Sequence, residues 1–335
     1  LKRFSLSTKL IINIMQAIIA TKYGSPEVLS LVQIKKPEPL TNQVLIKVHA
    51  AVVGPADCAF RAGKPFIIKL LYGLKRPKFP IGGVELAGEI VALGEQVKNF
   101  KIGDQIYGIS PDTFGAHAEY LCLPETALVS TKPTNLSYAE SVAIIDGGLT
   151  SLVFLRDKAK LKPGQRILIN GASGSVGGYA VQLAKYFGAH VTGVCSTSNV
   201  ELVKSLGADE VIDYTKQDFT DATATYDVVF DAVSKSSFDD AKRVLTKNGI
   251  YMATVPTIAI VMQMWWSAWF SSQRALFAAT GLQQKKANID FLTELAETGK
   301  LKPTIDREYP LAQIAQAHSY VGQGHKKGNV VISVA

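Results

Sequence analysis

Apolar residues recur along this chain in two rhythms. From residue 15 to about residue 135 they come as short β-like runs, at 44–50, 85–94, 105–109 and 116–123, separated by turn residues. That pattern predicts an all-β, barrel-like module. Beyond it, strand-like runs alternate with helix-period segments. Residues 166–170 read as a buried strand and 178–185 as a helix whose apolar side holds Val176, Ala180, Leu183 and Ala184. Residues 188–195, 211–214 and 226–233 read as further strands, 238–245 as a helix, and 248–255 as a turn and strand. Such alternation predicts an α/β doubly wound parallel sheet. Between the halves, Ser137 followed three residues later by Glu140 spells a capping box, so a helix starts there.

The first strand of the second half runs into Gly171-Ala172-Ser173-Gly174-Ser175-Val176-Gly177, and a helix follows. Strand, tight turn and helix leave free N–H groups at the positive end of a helix dipole, which seats a pyrophosphate. Glycines also make plain turns, but the context is the one a dinucleotide site needs. Ala172 keeps the turn tight, Gly174 admits the phosphates, and Gly177 lets helix and strand pack. Ser173, Ser175 and Val176 complete the candidate phosphate seat. A P-loop is excluded, because no Gly-Lys-Ser/Thr follows.

The second strand ends in Cys195-Ser196-Thr197-Ser198, with no carboxylate until Glu201. NAD enzymes usually place an acid at this point. Ser196 and Thr197 leave room for a 2′-phosphate, so NADPH is the expected cofactor; the hydroxyls can also cap the next helix. Tyr214, after the third strand, is placed to reach the adenosine. Ala232, Val233 and Val255 end later strands and are assigned to the nicotinamide side, with ordinary core as the alternative.

Bulk properties narrow the field. At 335 residues the chain holds two domains. Its net charge is +8, but the lysines are scattered and no basic stripe interleaves with aromatics, so no nucleic-acid partner is expected. Cys58, Cys122 and Cys195 are far apart and form no disulfide framework, which suits a reducing, cytoplasmic setting. Residues 1–14 faintly suggest a signal peptide but show no small-residue cleavage site, and read as an extension. Residues 255–270 carry all three tryptophans and are too short for a bilayer span. A buried helix, a subunit contact, a pocket lid or weak interfacial membrane attachment fit them better.

Gly82-Gly83-Val84-Glu85-Leu86-Ala87-Gly88, then residues 97–104 ending Gly103-Asp104, then Gly115-Ala116-His117-Ala118-Glu119-Tyr120, resemble the catalytic domain of medium-chain dehydrogenases/reductases. With residues 171–177 and 204–214, they resemble the zinc-independent, zeta-crystallin-like quinone oxidoreductase branch, from about Met15 to the end of the chain. The resemblance implies a GroES-like domain at 15–135, completed by 302–335, and a Rossmann domain at 136–301 with a cleft between them. Zinc members of the superfamily ligate metal at positions held here by Gly54 and Val84. Catalytic zinc needs about three N, S or O protein ligands, so no metal is expected. His49 and His117, read as strand residues, are taken as structural.

The resemblance also assigns residues. Thr150, in Asp146-Gly147-Gly148-Leu149-Thr150, matches the threonine beside the nicotinamide; a helix-interior hydrogen bond is its other reading. Asp57 and Arg61 match an Asn-Pro-Val-Asp…Arg segment whose Asn is Gly54 and whose Tyr is Ala59 here. Asn329 stands where the family has a lysine near the cofactor. The implied activity is NADPH-dependent reduction of quinones or activated enones, with Asp57 and Thr150 in the catalytic site. The alternatives are an alkenal double-bond reductase and a weakly catalytic NADPH-binding sensor or structural protein. A homodimer is expected, paired through the edge of the nucleotide-binding sheet.

Overall fold

The computed structural model describes residues 13–334. The predicted extension, residues 1–14, therefore lies outside the described residues except for its last two. In the first half, β1 (Ile14–Ala20) and β2 (Leu29–Lys35) form a separate antiparallel pair. Next come β3 (Gln43–Val52), α1 (Pro55–Ala62), α2 (Phe66–Tyr72), β4 (Glu85–Leu93), β5 (Gln105–Ile109), β6 (Tyr120–Pro124) and β7 (Leu128–Thr131). The chain then enters α3 (Tyr138–Leu152), β8 (Arg166–Asn170), α4 (Ser175–Tyr186), β9 (His190–Cys195), α5 (Val200–Ser205) and β10 (Glu210–Asp213). It continues through β11 (Tyr226–Asp231), α6 (Phe238–Ala241), β12 (Leu245–Ala253), α7 (Ile258–Phe270), β13 (Arg274–Phe277) and α8 (Lys286–Glu297). It closes with β14 (Ile305–Pro310), α9 (Ile314–Gly322) and β15 (Asn329–Ser333).

Two larger sheets organise the molecule. One runs β14-β15-β3-β4-β5-β7, with β6 also on β3. The C-terminal strands thus complete the first-half sheet, Val331 pairing with Val52. The other runs β10-β9-β8-β11-β12-β13 and is parallel throughout. Its central strands β8 and β11 are buried runs with helices on both faces, as a doubly wound sheet requires. The fold is therefore α/β, with a GroES-like β domain and a Rossmann-like sheet.

The connecting helix α3 starts at the predicted box: Ser137 Oγ accepts from Glu140 N–H at 3.1 Å, and Glu140 Oε2 accepts from Ser137 N–H at 2.8 Å. It is apolar enough to span a bilayer by composition when counted through to Lys158, but 72% of that window is buried in the middle of the protein. Gly147 explains its close seat. A Cβ there would lie 2.5 Å from Ser175 O and 2.6 Å from Tyr179 Cδ2, so only glycine lets α3 press on α4.

Three expected elements differ. Residues 116–119 are not strand, and only Ala118 bridges, to Ala17; the regular ladder with β3 starts at Tyr120. His117 accordingly lies just outside a strand, while His49 is within β3. The helix expected over 238–245 ends at Ala241, because residues 242–244 turn and Leu245 joins Tyr226 in the sheet. The turn expected at Asn248-Gly249 lies inside β12. Segment 258–270 is a helix, but an exposed one: Ile258, Trp265 and Trp269 are 83%, 67% and 75% exposed.

Candidate active site between the two sheets

The glycine turn caps β8. Gly171 takes the left-handed backbone, with φ +79°, and its N–H and that of Ala172 both donate to Val194 O, at 3.1 and 3.0 Å. The tight turn thus rests on Gly171 rather than on Ala172, whose methyl is fully buried. At Gly177 a Cβ would sit 2.1 Å from Gly171 O, so this glycine sets the helix against the turn. At Gly174 the nearest atom to an added Cβ is Gly171 O at 3.5 Å: the protein leaves that position open. Ser175 and Val176 open α4 and offer their N–H groups to an anion.

The Ser175 side chain turns inward. Its hydroxyl donates to Asn329 Oδ1 at 2.8 Å and lies 3.3 Å from Asp146 Oδ2. Asn329 is fully buried and donates to Ala143 O at 2.7 Å. Where the resemblance implies a lysine reaching the cofactor, this side chain is instead a fastener joining β15, α3 and the phosphate turn.

At the adenosine edge, Ser196 and Ser173 share Asn199 Nδ2 as donor, both at 3.1 Å. Thr197 is exposed and donates to Asp213 Oδ2 at 2.6 Å. The lack of an acid before Glu201 in the sequence therefore does not leave this edge without a carboxylate. The parallel register sets Asp213 beside Cys195, which brings a carboxylate to the end of β9 from the neighbouring strand. Its hydrogen bond from Thr197, followed by those from Thr215 and Lys216, holds this carboxyl well below the usual range. Lys216 Nζ lies 3.3 Å away. Tyr214 donates its N–H to Cys195 O at 3.0 Å and leaves its ring 56% exposed at the same edge.

The remaining assigned residues line the C-terminal ends of adjacent strands. Ala232 N–H donates to Asn170 O at 3.1 Å, and Val233 packs against Gly171, where a Cβ would meet its Cγ1 at 2.4 Å. Val233 and Val255 are about half exposed, so neither is ordinary core. Thr150, one turn after Asp146 on α3, lies with its hydroxyl 3.5 Å from that of Thr280. It does not touch Asp57 by any hydrogen bond.

Across the cleft, α1 begins with Gly54-Pro55-Ala56-Asp57. Asp57 Oδ2 accepts from Gly54 N–H at 2.8 Å, and Asp57 is 7% exposed. A Cβ on Gly54 would lie 3.6 Å from both Asp57 Oδ2 and Asp146 Oδ2, so the two carboxylates flank a bare backbone. Burial pushes the Asp57 carboxyl up, against the opposing pull of His117 and the Gly54 N–H. Burial, then Asp57 and Asp146, push Glu85 well above the usual carboxylate range. Lys326, half-buried and donating to Gly328 O at 2.8 Å, is pushed down by desolvation while Asp146 pulls the other way. Glu85 and Lys326 were not among the expected site residues, because nothing local in the sequence tells which strand or loop converges here.

Asp57 also lines a small pocket with Phe60, Arg61, Tyr72, Phe79 and Phe114, with a cavity volume of about 50 Å³ and a side open to solvent. His117 and His318 close its inner end. His117 Nε2 lies 3.0 Å from Val52 O, to which it donates, a structural role. Burial lowers His318 to about 2, so its ring is neutral.

Known proteins match this arrangement. Residues 41–133 match the family model for an alcohol dehydrogenase GroES-like domain, and residues 206–332 that for a zinc-binding dehydrogenase. A 2-methylene-furan-3-one reductase of Solanum lycopersicum is 37% identical over 330 residues, covering 95% of this chain and 79% of the relative. An NADPH-dependent alkenal/one oxidoreductase, chloroplastic, of Arabidopsis thaliana is 33% identical over 333 residues, with 95% and 79% covered. The solved structure of the quinone oxidoreductase from Coxiella burnetii superposes with a TM-score of 0.86 at 32% identity, covering 96% of this chain and all of that one. The chain belongs to the medium-chain dehydrogenase/reductase superfamily, in its quinone oxidoreductase branch. It is an oxidoreductase, and its glycine turn is built for a nicotinamide cofactor.

One family description names zinc, and the donor set here does not suit that ion. Gly54 has no side chain and Val84 is apolar. The carboxylates near them are those of Asp57, Glu85 and Asp146, and the nearby His117 imidazole is engaged by Val52 O. Among the described residues no group of three or more His, Cys, Asp or Glu side chains is arranged to hold a metal. Zinc at catalytic sites takes about three protein ligands, with imidazole or thiolate prominent.

Proposed function

We propose that this protein reduces conjugated carbonyl acceptors, quinones or enones, with NADPH and without zinc. The observation that carries this reading is the position of Asp57. It lines the acceptor pocket and flanks Gly54 opposite Asp146, whose carboxylate lies against Ser175 of the phosphate turn. Cofactor seat, bare metal position and acceptor pocket therefore share one wall.

Bound on this turn, a reduced nicotinamide supplies hydride. The N–H groups of Ser175 and Val176 bind the diphosphate, while Thr150, Val233 and Val255 border the ring. Hydride addition to a quinone or enone leaves a delocalised oxyanion, which requires far less electrophilic help than an alcohol or isolated carbonyl. Burial favours the protonated form of Asp57. When protonated, its O–H would donate a hydrogen bond to the acceptor oxygen, then the proton, and solvent would return the proton to the carboxylate. Ser196 and Thr197 leave space for a 2′-phosphate, and Lys216 supplies the nearby positive charge that Asp213 otherwise opposes.

The test is NADPH oxidation by the purified chain against quinones, enones and alkenals, repeated with NADH and with a chelator. Acceptor-dependent, chelator-resistant oxidation that is lost in Asp57→Asn supports the reading. Strong chelator inhibition, or no rate with any acceptor, sinks it; the latter result favours a nucleotide-binding sensor. Alkenals outpacing quinones would select the alkenal reductase variant.

The same reading includes a homodimer. β13 lies at the sheet edge, and α7, packed beside it, exposes Ile258, Met262, Trp265 and Trp269. It also includes a cytoplasmic setting, which suits the three free cysteines; the Arabidopsis alkenal/one oxidoreductase is chloroplastic, and fractionation of the source cells decides the matter here.

A further inference from the structure

We propose that Arg61 selects acceptors that carry an anionic group close to the reacting carbonyl, such as conjugated keto acids, over neutral quinones and enones. This rests on the reductase reading above and adds the substrate class.

The pocket has an aromatic wall. Phe79 stacks on Phe114 at 5.0 Å, and Phe60 meets Phe114 edge-on, also at 5.0 Å. Such a wall suits a flat conjugated body. Two cations line it: Lys78, whose Nζ lies 5.2 Å from the Phe79 ring centre, and Arg61, which the protein does not satisfy. Arg61 Nε and Nη1 are both buried and make no hydrogen bond, and among the described residues Arg61 forms no ion pair. A guanidinium cannot shed its charge, and buried donors are ordinarily paired. Nη2 shares one edge of the planar guanidinium with Nε and the other with Nη1, and either edge matches the two oxygens of a carboxylate.

The spacing from Asp57 narrows the ligand. Asp57 and Arg61 are four residues apart on α1 and both line the pocket. Residues at that spacing share a helix face with Cβ atoms about 5–6 Å apart. An acceptor whose carbonyl oxygen reaches Asp57 therefore brings a carboxylate a few bonds away onto Arg61. A 4-oxo-2-enoate has that reach. A neutral enone leaves the guanidinium unpaired and further desolvated.

The experiment compares 3-benzoylacrylate with its methyl ester as acceptors, and measures calorimetric binding of the saturated 4-oxo-4-phenylbutanoate to the protein with NADP+. Arg61→Met and Arg61→Lys are run alongside, with NADP+ affinity as the check on folding. The expected result is a preference of wild type for the acid over the ester of about tenfold or more, erased in Arg61→Met and partly kept in Arg61→Lys. Binding of the saturated acid should weaken by a similar factor in Arg61→Met alone. A preference for the ester, no binding of the saturated acid, or equal binding by wild type and Arg61→Met overturns the proposal. If the saturated acid binds through Arg61 but no acceptor is reduced, the anion site stands and the reductase reading falls.

Discussion

The hydroxyl of Ser175, the first residue of the helix behind the phosphate turn, donates to the side-chain carbonyl of Asn329, the first residue of the last strand, at 2.8 Å. This bond ties the nucleotide seat to the sheet that carries the acceptor pocket. Asn329→Ala removes it together with the bond to Ala143 O. Each buried group left unpaired costs about 1–3 kcal/mol, so denaturant unfolding should show a loss of at least that size. Because Ser175 loses its anchor, NADPH affinity should fall as well; unchanged affinity would show that the fastener does not organise the seat.

Gly174 and Gly177 should respond differently to alanine. A methyl at 177 would lie 2.1 Å from the Gly171 carbonyl oxygen, so Gly177→Ala should disturb folding, seen as a lowered melting temperature. At 174 the nearest atom is at 3.5 Å, and Gly174→Ala should melt like wild type. It should nevertheless weaken NADPH by about tenfold or more, because the methyl enters the space reserved for phosphate. Normal NADPH binding by a well-folded Gly174→Ala would place the diphosphate elsewhere.

Asp213 is a handle on cofactor choice. It is held ionised, its hydrogen bond from Thr197 first among the causes, and Thr197 belongs to the edge proposed for the adenosine ribose. Asp213→Asn removes the opposing charge, so the ratio of kcat/KM for NADPH over NADH should rise by several-fold, about 1 kcal/mol. A falling ratio would mean that the carboxylate binds a ribose hydroxyl and that NADH is the natural partner.

The buried acids give a signed pH dependence. Glu85 binds its proton more tightly in the folded chain than in the unfolded one, chiefly through burial and then through Asp57 and Asp146. Its contribution to stability is complete below the unfolded value of about 4.3 and is lost as pH rises through the folded value. Glu85→Gln should therefore stabilise the protein more at pH 8 than at pH 4. Activity should also fall on the alkaline side as Asp57 ionises, and Asp146→Asn, which removes a charge that raises Asp57, should move that limb to lower pH. Urea titrations and kcat/KM profiles across pH read both effects; an alkaline limb that does not move in Asp146→Asn would remove Asp57 as the proton donor.

The exposed helix beside the sheet edge bears on assembly. Trp265 and Trp269, one turn apart, are 67% and 75% exposed. Replacing both with Glu should shift sedimentation equilibrium from dimer toward monomer without lowering NADPH affinity. A wild-type chain that sediments as a monomer would assign this apolar face to something other than a second copy.

Local pattern alone determined a good deal of this protein. The strand–glycine turn–helix at 166–186, the capping box of Ser137 and Glu140, and the alternation that makes the second sheet parallel were all legible, since each depends on neighbours within a few residues. So was the absence of metal-binding side chains at Gly54 and Val84. Tertiary structure decided the rest. Helix 238–241 stopped short because Leu245 pairs with Tyr226. The carboxylate at the adenosine edge came from Asp213, one strand over, and only the register with Cys195 put it there. Asn329 became a buried fastener because its strand joins β3 and its side chain bonds Ala143 O on α3. Asp57, Glu85, Asp146 and Lys326 are spread over most of the chain; the shifted proton affinities of Asp57, Glu85 and Lys326 arise from burial and nearby charge, which exist only once the two sheets close on each other.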